Sequence, residues 1–354
     1  TETTYIDVAV GNSSVCAIES DGSVWCWGAN GSGQLGNNST KPSDSPVKVE
    51  GIASSTVTHI AAGFRHFCAS TQDGLVYCWG DNSRGQLGNF GNDSHIAIPV
   101  VGVGTASNVT VGDYHSCALV DTDKVMCWGD NSKKQIQTPA STKESPMYLG
   151  VSKVTKVAAG GVNTCLLTSD KKVTCIGDNS ELQAPVTISG SFADLAVGNK
   201  TVCLIKDQTN QVSCLGSNTS LKLGRDGANS PTPVDISGLT AKVISAGLAH
   251  NCVVTAGNVL GCWGLNTSGQ LASSFGFPSA YQVPGITITG KLNVGESIQA
   301  TTNSLEPDAE LQYSWYRATG ATSNLSKQTG QDQNTVAISA SDLGKFFQVR
   351  IQFS

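Results

Sequence analysis

Twelve cysteines dominate the chemistry open to this 354-residue chain. They fall into six close pairs: Cys16 with Cys26, Cys68 with Cys78, Cys117 with Cys127, Cys165 with Cys175, Cys203 with Cys214, and Cys252 with Cys262. Nine or ten residues separate the members of each pair. There is no Cys-x-x-Cys knuckle, and histidine is too scarce near the pairs for zinc. Two readings compete: six local disulfides, or buried thiols of a reducing compartment, where free cysteine packs as a small apolar side chain. The recurrence of both members in every pair favours disulfides, hence an extracellular, cell-surface or periplasmic location. Paired cysteines leave no thiol nucleophile. The five histidines are His59, His66, His95, His115 and His250. Of these, His66, His115 and His250 share one position, two residues before the first cysteine of a pair. They belong to different repeats, so each is expected to bond a backbone group of its own repeat and not to share a metal. No carboxylate pair recurs with them, so no hydrolytic site is expected. Gly31 to Gly36 lacks the Lys-Ser/Thr pair of a phosphate loop. Asp81-Asn82 and Asp130-Asn131 lack the dense acidic spacing of a calcium loop. The chain is expected to be no enzyme and to need no cofactor or metal.

The elements that carry these residues form a repeat. Second cysteines lie at 26, 78, 127, 175, 214 and 262. A spacing near 48 residues marks a propeller or solenoid. A glycine stands five residues before each first cysteine: Gly11, Gly63, Gly112, Gly160, Gly198 and Gly247. A second column, Gly28, Gly80, Gly129, Gly177, Gly216 and Gly264, stands two after each second cysteine. Asn30, Asn82, Asn131, Asn179, Asn218 and Asn266 follow two further on. Then come Gln34, Gln86, Gln135, Gln183 and Gln270, with Lys222 as the exception. The glycine columns point to positive φ or to close backbone approach. In the second repeat, Val57 to Ala62, His66 to Ser70, Leu75 to Trp79 and Ile98 to Gly102 read as strands, with a hairpin turn at Asp73-Gly74. Four short antiparallel strands per period describe a propeller blade. Cys68 and Cys78 then face each other across a hairpin, within disulfide reach. Each bridge closes a loop of about 11 residues, for just under about 3 kcal/mol on the loop-entropy model.

Composition agrees. Glycine supplies 39 residues and charged residues only 14% of the chain, which favours short strands and turns over helices. The net charge of −5 offers nothing to neutralise phosphates, so nucleic acid is not an expected partner. No apolar run reaches the 18 residues of a membrane span. Thr1 reads as the start of a trimmed or mature form.

The string from Trp27 to Gly36, with Trp79 to Gly88 and Trp263 to Leu271, resembles the signature of the regulator of chromosome condensation repeat. The family's Gly-x-x-His-x-Cys-Ala pattern is matched at Gly63, His66, Cys68 and Ala69, and at Gly112, His115, Cys117 and Ala118. The resemblance covers residues 5 to 285 and implies a β-propeller, usually of seven blades. Six repeats are countable, so about six blades are expected and seven remain open. Repeats four and five depart from the pattern, with Ile176 and Leu215 in place of tryptophan. The propeller is assigned residues 1–285.

The pattern stops near Pro284-Gly285. Residues 286–354 alternate instead, with Val294-Gly295-Glu296-Ser297-Ile298, Tyr313-Ser314-Trp315-Tyr316-Arg317 and Asp342-Leu343-Gly344-Lys345 in order. This order resembles bacterial immunoglobulin-like modules of surface proteins, and implies a small all-β sandwich with Trp315 in its core, used as a spacer. Asn-x-Ser/Thr strings occur at Asn12, Asn30, Asn38, Asn92, Asn108, Asn218, Asn266 and Asn324. Several coincide with the repeat asparagines and are read as by-products of it.

What remains is a binding scaffold. The segments after each repeat asparagine vary, and long loops on a rigid ring are where recognition sits. Their cationic and apolar members are Arg84, Phe90, His95, Lys133, Lys134, Arg225, Phe275, Phe277 and Tyr281. Arginine and aromatic side chains are typical interface anchors. Phe275 and Phe277 could equally seal the junction with the second domain. The expected function is adhesion or capture of a protein or glycan by a secreted or cell-surface bacterial propeller, with oligomeric state undefined. The alternative is an enzyme inhibitor, since a secreted bacterial propeller of the resembled family inhibits β-lactamases. Guanine-nucleotide exchange, as in the family's nuclear founder, fits the disulfides and the acidic balance poorly. Peptide mapping of unreduced protein should recover Cys68 and Cys78 in linked or shared peptides. A bridge between repeats, or more than one free thiol, would overturn the hairpin pairing.

Overall fold

The structure is a computed structural model. It describes residues 4–53, 56–136, 143–178, 180, 186–225, 227–265 and 271, and six strands beyond residue 286. Two compact units divide at residues 273 and 274. The junction expected at Pro284-Gly285 lies outside the described residues.

In the first unit each repeat folds as expected, into an antiparallel meander. The first sheet holds β1 (Tyr5–Val10), β2 (Ser14–Glu19), β3 (Val24–Gly28) and β4 (Ser43–Lys48). The second holds β5 (Val57–Ala62), β6 (His66–Thr71), β7 (Val76–Gly80) and β8 (Ser94–Pro99). The third holds β9 (Ala106–Val111), β10 (His115–Val120), β11 (Lys124–Gly129) and β12 (Lys143–Tyr148). The fourth holds β13 (Val154–Gly160), β14 (Asn163–Thr168), β15 (Val173–Gly177) and β16 (Val186–Ile188). The fifth sheet has six strands: β17 (Phe192–Gly198), β18 (Thr201–Lys206), β19 (Gln211–Gly216), β20 (Ser230–Ala246), β21 (His250–Thr255) and β22 (Leu260–Gly264). The only helix among the described residues is one 3-10 turn at Thr219–Leu221.

This is a β-propeller with about five blades. Six separate blades were expected, but β20 runs through the joint between the fifth and sixth repeats. The strand itself is continuous: its first part, through Thr240, pairs with β19, and its second part, from Ala241, pairs with β21, with shifts of register on both sides. The sixth repeat adds β21 and β22 to that sheet. Ala280 to Val283, expected to help close the ring, lie outside the described residues.

The core sits between successive sheets. Ile18, Val24, Leu35 and Val49 of the first repeat pack with Val57, Ile60, Phe67 and Trp79 of the second. In β1 the face that would meet a preceding sheet is bare. Val8 is 58% exposed, whereas Ile60, Val109, Val157, Leu195 and Ile244 at the same register position are buried. Leu260 is likewise exposed where Val24, Val76, Val125, Val173 and Val212 are buried. These two faces have no neighbouring sheet among the described residues.

All six disulfides join direct cross-strand partners of one repeat. Cys68 and Cys78 are register partners with Cα atoms 4.1 Å apart, as suits a pair without mutual backbone bonds. The two glycine columns have different causes. A Cβ on Gly63 would stand within 2.3 Å of the His66 ring of its own repeat and 2.7 Å from the Gly112 carbonyl oxygen of the next. Gly80 instead has φ of 102° and faces the Arg65 carbonyl.

A second set of bonds joins each repeat to the next. The Gln86 amide stays inside its own loop, accepting from the Arg84 N–H at 2.8 Å and donating to Asp81 Oδ2 at 2.8 Å. That fixes the Gln86 carbonyl, which accepts from Trp128 Nε1 at 2.9 Å and from Ser116 Oγ at 2.8 Å, both in the third repeat. Gln34 accepts from Trp79 Nε1 at 3.0 Å, and Lys222 from Trp263 Nε1 at 2.8 Å. Where Ile176 replaces tryptophan, Thr164 Oγ1 alone is seen donating to the Gln135 carbonyl, at 2.7 Å.

In the second unit, β23 (Thr287–Thr289), β24 (Ser297–Thr301) and β27 (Thr335–Ala337) form one antiparallel sheet. The strands β25 (Leu311–Ala318), β26 (Ser326–Lys327) and β28 (Phe346–Phe353) form another, with Trp315 opposite Val349.

The clasp makes a differential prediction. Trp79→Phe removes the indole donor of Gln34, whereas after Trp128→Phe the Gln86 carbonyl keeps Ser116. Losing a buried bond costs about 1–3 kcal/mol, so Trp79→Phe should lower the urea midpoint clearly more than Trp128→Phe. Equal losses would contradict the clasp.

Candidate functional site

Topology brings two kinds of variable segment to one end of the blades. His66, where β6 begins, pairs with Gly80, where β7 ends. The 63–65 turn and the 81–93 loop therefore emerge together, and the Asp81 N–H donates to the Arg65 carbonyl at 2.9 Å. The third repeat copies this, with the Asp130 N–H donating to the Tyr114 carbonyl at 2.8 Å. The turns also join across repeats: the Phe64 N–H donates to the Asp113 carbonyl at 3.2 Å, and the Asp113 N–H to the Gly161 carbonyl at 2.8 Å.

At this end lies an aromatic and cationic cluster. The rings of Phe64 and Tyr114 meet at 5.7 Å with a 41° tilt. The Arg65 guanidinium stands 5.6 Å from the Phe64 centroid, within cation–π range. Burial holds the Asp113 carboxyl above the usual carboxylate range. Further out, Arg84 reaches toward Asp130 at 4.0 Å. Phe64 and Arg65 lie between the expected strands Val57 to Ala62 and His66 to Ser70 and are not among the expected recognition residues. The available signal was the variability of the two positions that follow the glycine column, against the uniformity of that column.

The expected recognition residues divide. Arg84 and His95 line one hollow with Asn82 and Asn92. Phe90 is 80% exposed on the rim of the same loop. His95 is also a junction residue: a Cβ on Gly33 would meet its ring, and its carbonyl accepts from the Asn38 N–H at 2.8 Å. Lys133 and Lys134 are exposed on the corresponding loop of the third repeat. In the fifth repeat Arg225 donates to the Ala228 carbonyl at 3.2 Å. Phe275, Phe277 and Tyr281 lie outside the described residues.

Several chemical alternatives meet atoms already in use. Asp81 accepts from Ser83 and Gln86, and Asp130 from Ser132 and Gln135. No cluster of metal-ligating side chains occurs among the described residues. In the 31–36 loop, the N–H groups of Ser32, Gly33, Leu35 and Gly36 all bond within the loop. Asn30 and Asn218 are buried clamps, each donating to two carbonyls of its own loop and accepting an N–H. Asn12, Asn38 and Asn92 are exposed.

The histidine expectation is corrected. His66 Nε2 lies 3.0 Å from Ser116 Oγ, and His115 Nε2 lies 2.9 Å from Thr164 Oγ1. Both partners are hydroxyls of the next repeat, not backbone groups of the same one. Since those hydroxyls donate to the Gln86 and Gln135 carbonyls, each Nε2 carries the proton and donates. Burial pushes His66 down to about 3 and His115 to about 4. His250 is lowered by partial burial.

The family model described as Regulator of chromosome condensation (RCC1) repeat matches residues 21–70 and 73–119. A second model of the same description matches 5–34, 57–86, 106–135 and 154–183. Together the matches cover residues 5–135 and 154–183, which are similar to regulator of chromosome condensation repeats. Protein RCC2 homolog of Danio rerio is 41% identical over 71 residues, 20% of this chain and 14% of that protein. The chain thus spans a small part of the curated relatives' length. Prp20p of Saccharomyces cerevisiae, whose binding properties to Gsp1p and histones accompany its structure, has a TM-score of 0.67 at 19% identity. The overlap covers 86% of this chain and 84% of Prp20p. The CRINKLY ectodomain of the Arabidopsis thaliana receptor kinase ACR4 has a TM-score of 0.51 at 23% identity, over 74% and 80%. These likenesses show the propeller fold alone.

The buried imidazoles set a pH dependence. Unfolded histidine takes a proton near pH 6.5, but folded His66 and His115 resist it until far lower, so the unfolded state binds more protons between. Their stability contribution is complete above pH 6.5 and falls by about 1.4 kcal/mol per histidine per pH unit as pH drops toward 4. The double variant His66→Asn, His115→Asn uses the residue that the fourth repeat has, Asn163. Urea unfolding at pH 6.5 and 4.5 should show a shallower fall for it. An unchanged slope would contradict the buried neutral histidines.

Proposed function

We propose that this chain is a binding protein of an oxidising compartment, secreted or at a cell surface, that uses the loop end of its propeller to hold a protein or glycan partner. The observation that carries the reading is the cluster of Phe64, Arg65 and Tyr114. Two turns from different repeats bring aromatic and guanidinium groups together, and the cluster is not part of any repeat column. Buried aromatic and arginine anchors dominate interface energies. Six disulfides support the compartment, and among the described residues no helix is long and apolar enough to cross a membrane. The binding of Prp20p to Gsp1p and histones and the ectodomain nature of the ACR4 propeller support recognition over catalysis.

Within this reading residues 1–285 are the recognition head. Residues 286–354 are an immunoglobulin-like spacer, supported by two three-stranded antiparallel sheets and by the order of their motifs. The role is adhesion or capture.

The test is cross-linking capture from secreted and cell-surface extracts. Phe64→Ala with Arg65→Ala should weaken capture by about 30-fold or more with little change in melting temperature. Val101→Ala, at an exposed apolar residue of the opposite end, should leave capture intact. Loss with Val101→Ala but not with the pair would place recognition on the other end.

A further inference from the structure

The loop between β7 and β8 encloses an open hollow of about 1060 Å³. Its walls are Ser83, Arg84, Asn89, Asn92, Asp93 and His95, with Asn82 beneath and two glycines. We infer that this hollow binds a neutral oligosaccharide. The inference rests on the loop end being the recognition surface, and it names one ligand class for it.

Three observations carry it. First, the lining residues are asparagine, serine, glycine, arginine, aspartate and histidine, with no aliphatic side chain among them, which suits a ligand rich in hydroxyl groups. Second, its formal charges offset. Arg84 leans toward Asp130, and Asp93 stands in the wall as a carboxylate that an anionic ligand would meet. Third, Phe90 stands in the chain between the lining residues Asn89 and Gly91, outside the wall itself, with 80% of its surface exposed. An aromatic face carries negative charge density, which attracts the weakly positive C–H face of a pyranose ring. The phenyl group is not inherited from the repeat: the first, third and fifth repeats have Asn38, Pro139 and Asp226 at that position.

The hollow is also built in advance. Asn82, buried, donates from Nδ2 to Asn89 Oδ1 at 2.9 Å and to the Gly91 carbonyl at 3.0 Å. Its N–H donates to Asp93 Oδ1 at 2.9 Å, and its Oδ1 accepts from the Leu87 N–H at 2.9 Å. A loop pinned at four points loses little freedom on binding. Asn92 makes no hydrogen bond among the described residues, and is a free amide for sugar hydroxyls.

The test uses the whole chain, produced by export to a bacterial periplasm, which oxidises cysteines and adds no N-glycan at Asn92. It is applied to a printed array of neutral, sialylated and sulfated oligosaccharides. Binding to neutral members is expected. Phe90→Ala and Asn92→Ala should each weaken it by about tenfold or more, while Phe90→Trp retains it and Val101→Ala, at the opposite end of the blade, changes it by less than about threefold. No binding, binding to acidic members only, or neutral binding indifferent to Phe90 and Asn92 would overturn the inference. Partner capture that depends on Phe64 and Arg65 while the array stays blank would overturn the sugar site alone and leave the recognition surface standing. Array binding that survives Phe64→Ala with Arg65→Ala, without partner capture, would support the sugar site and remove the wider surface.

Discussion

The bond from a tryptophan indole to a loop carbonyl of the preceding repeat is the interaction on which the rest depends. A four-stranded meander buries one face poorly by itself, and its loop end would be free to wander. The glutamine amide stiffens the loop from within, and its carbonyl is then presented at a fixed place for the next repeat. Where the tryptophan is absent a hydroxyl takes over, as Thr164 does for Gln135. The buried histidines extend the same junction, donating to those hydroxyls. Each bond is modest, about 1 kcal/mol net, but among the described residues it recurs at four junctions and locates each of those loops relative to its neighbour.

The disulfides act on a different axis. Every one lies inside a repeat, across the hairpin that the turn already favours, so none fixes one blade against another. Covalent bonds hold the blades and polar clasps hold their stacking. Because clasp and loop share an end, the surface best held in position is also the surface with the most variable sequence. Phe64 and Tyr114 meet only because adjacent turns are tied through Asp113 and Gly161.

Much of this was legible in the sequence. Cysteine pairing, strand order and the loops that carry Arg84, Phe90 and His95 all follow from local spacing, and local spacing is what a repeat prints most clearly. The two glycine columns were recognisable, but Gly63 and Gly80 needed coordinates to show that one answers to a neighbouring turn and the other to its own φ. Features spanning about one period were not readable. His66 finds its partner at Ser116, and Phe64 finds Tyr114, because sheets stack face to face and no composition rule selects which residues then touch. The blade count differed for a similar reason: β20 runs as one strand from its pairing with β19 to its pairing with β21, across the joint between two countable repeats.

The central claim is that a clasped scaffold presents one working end. Hydrogen–deuterium exchange of the full chain, free and with captured partner, tests it most directly. The account predicts new protection at residues 63–65, 81–93, 112–114 and 130–136, with the hairpin ends at 20–23, 72–75 and 121–123 unchanged. Protection confined to those hairpin ends would contradict it.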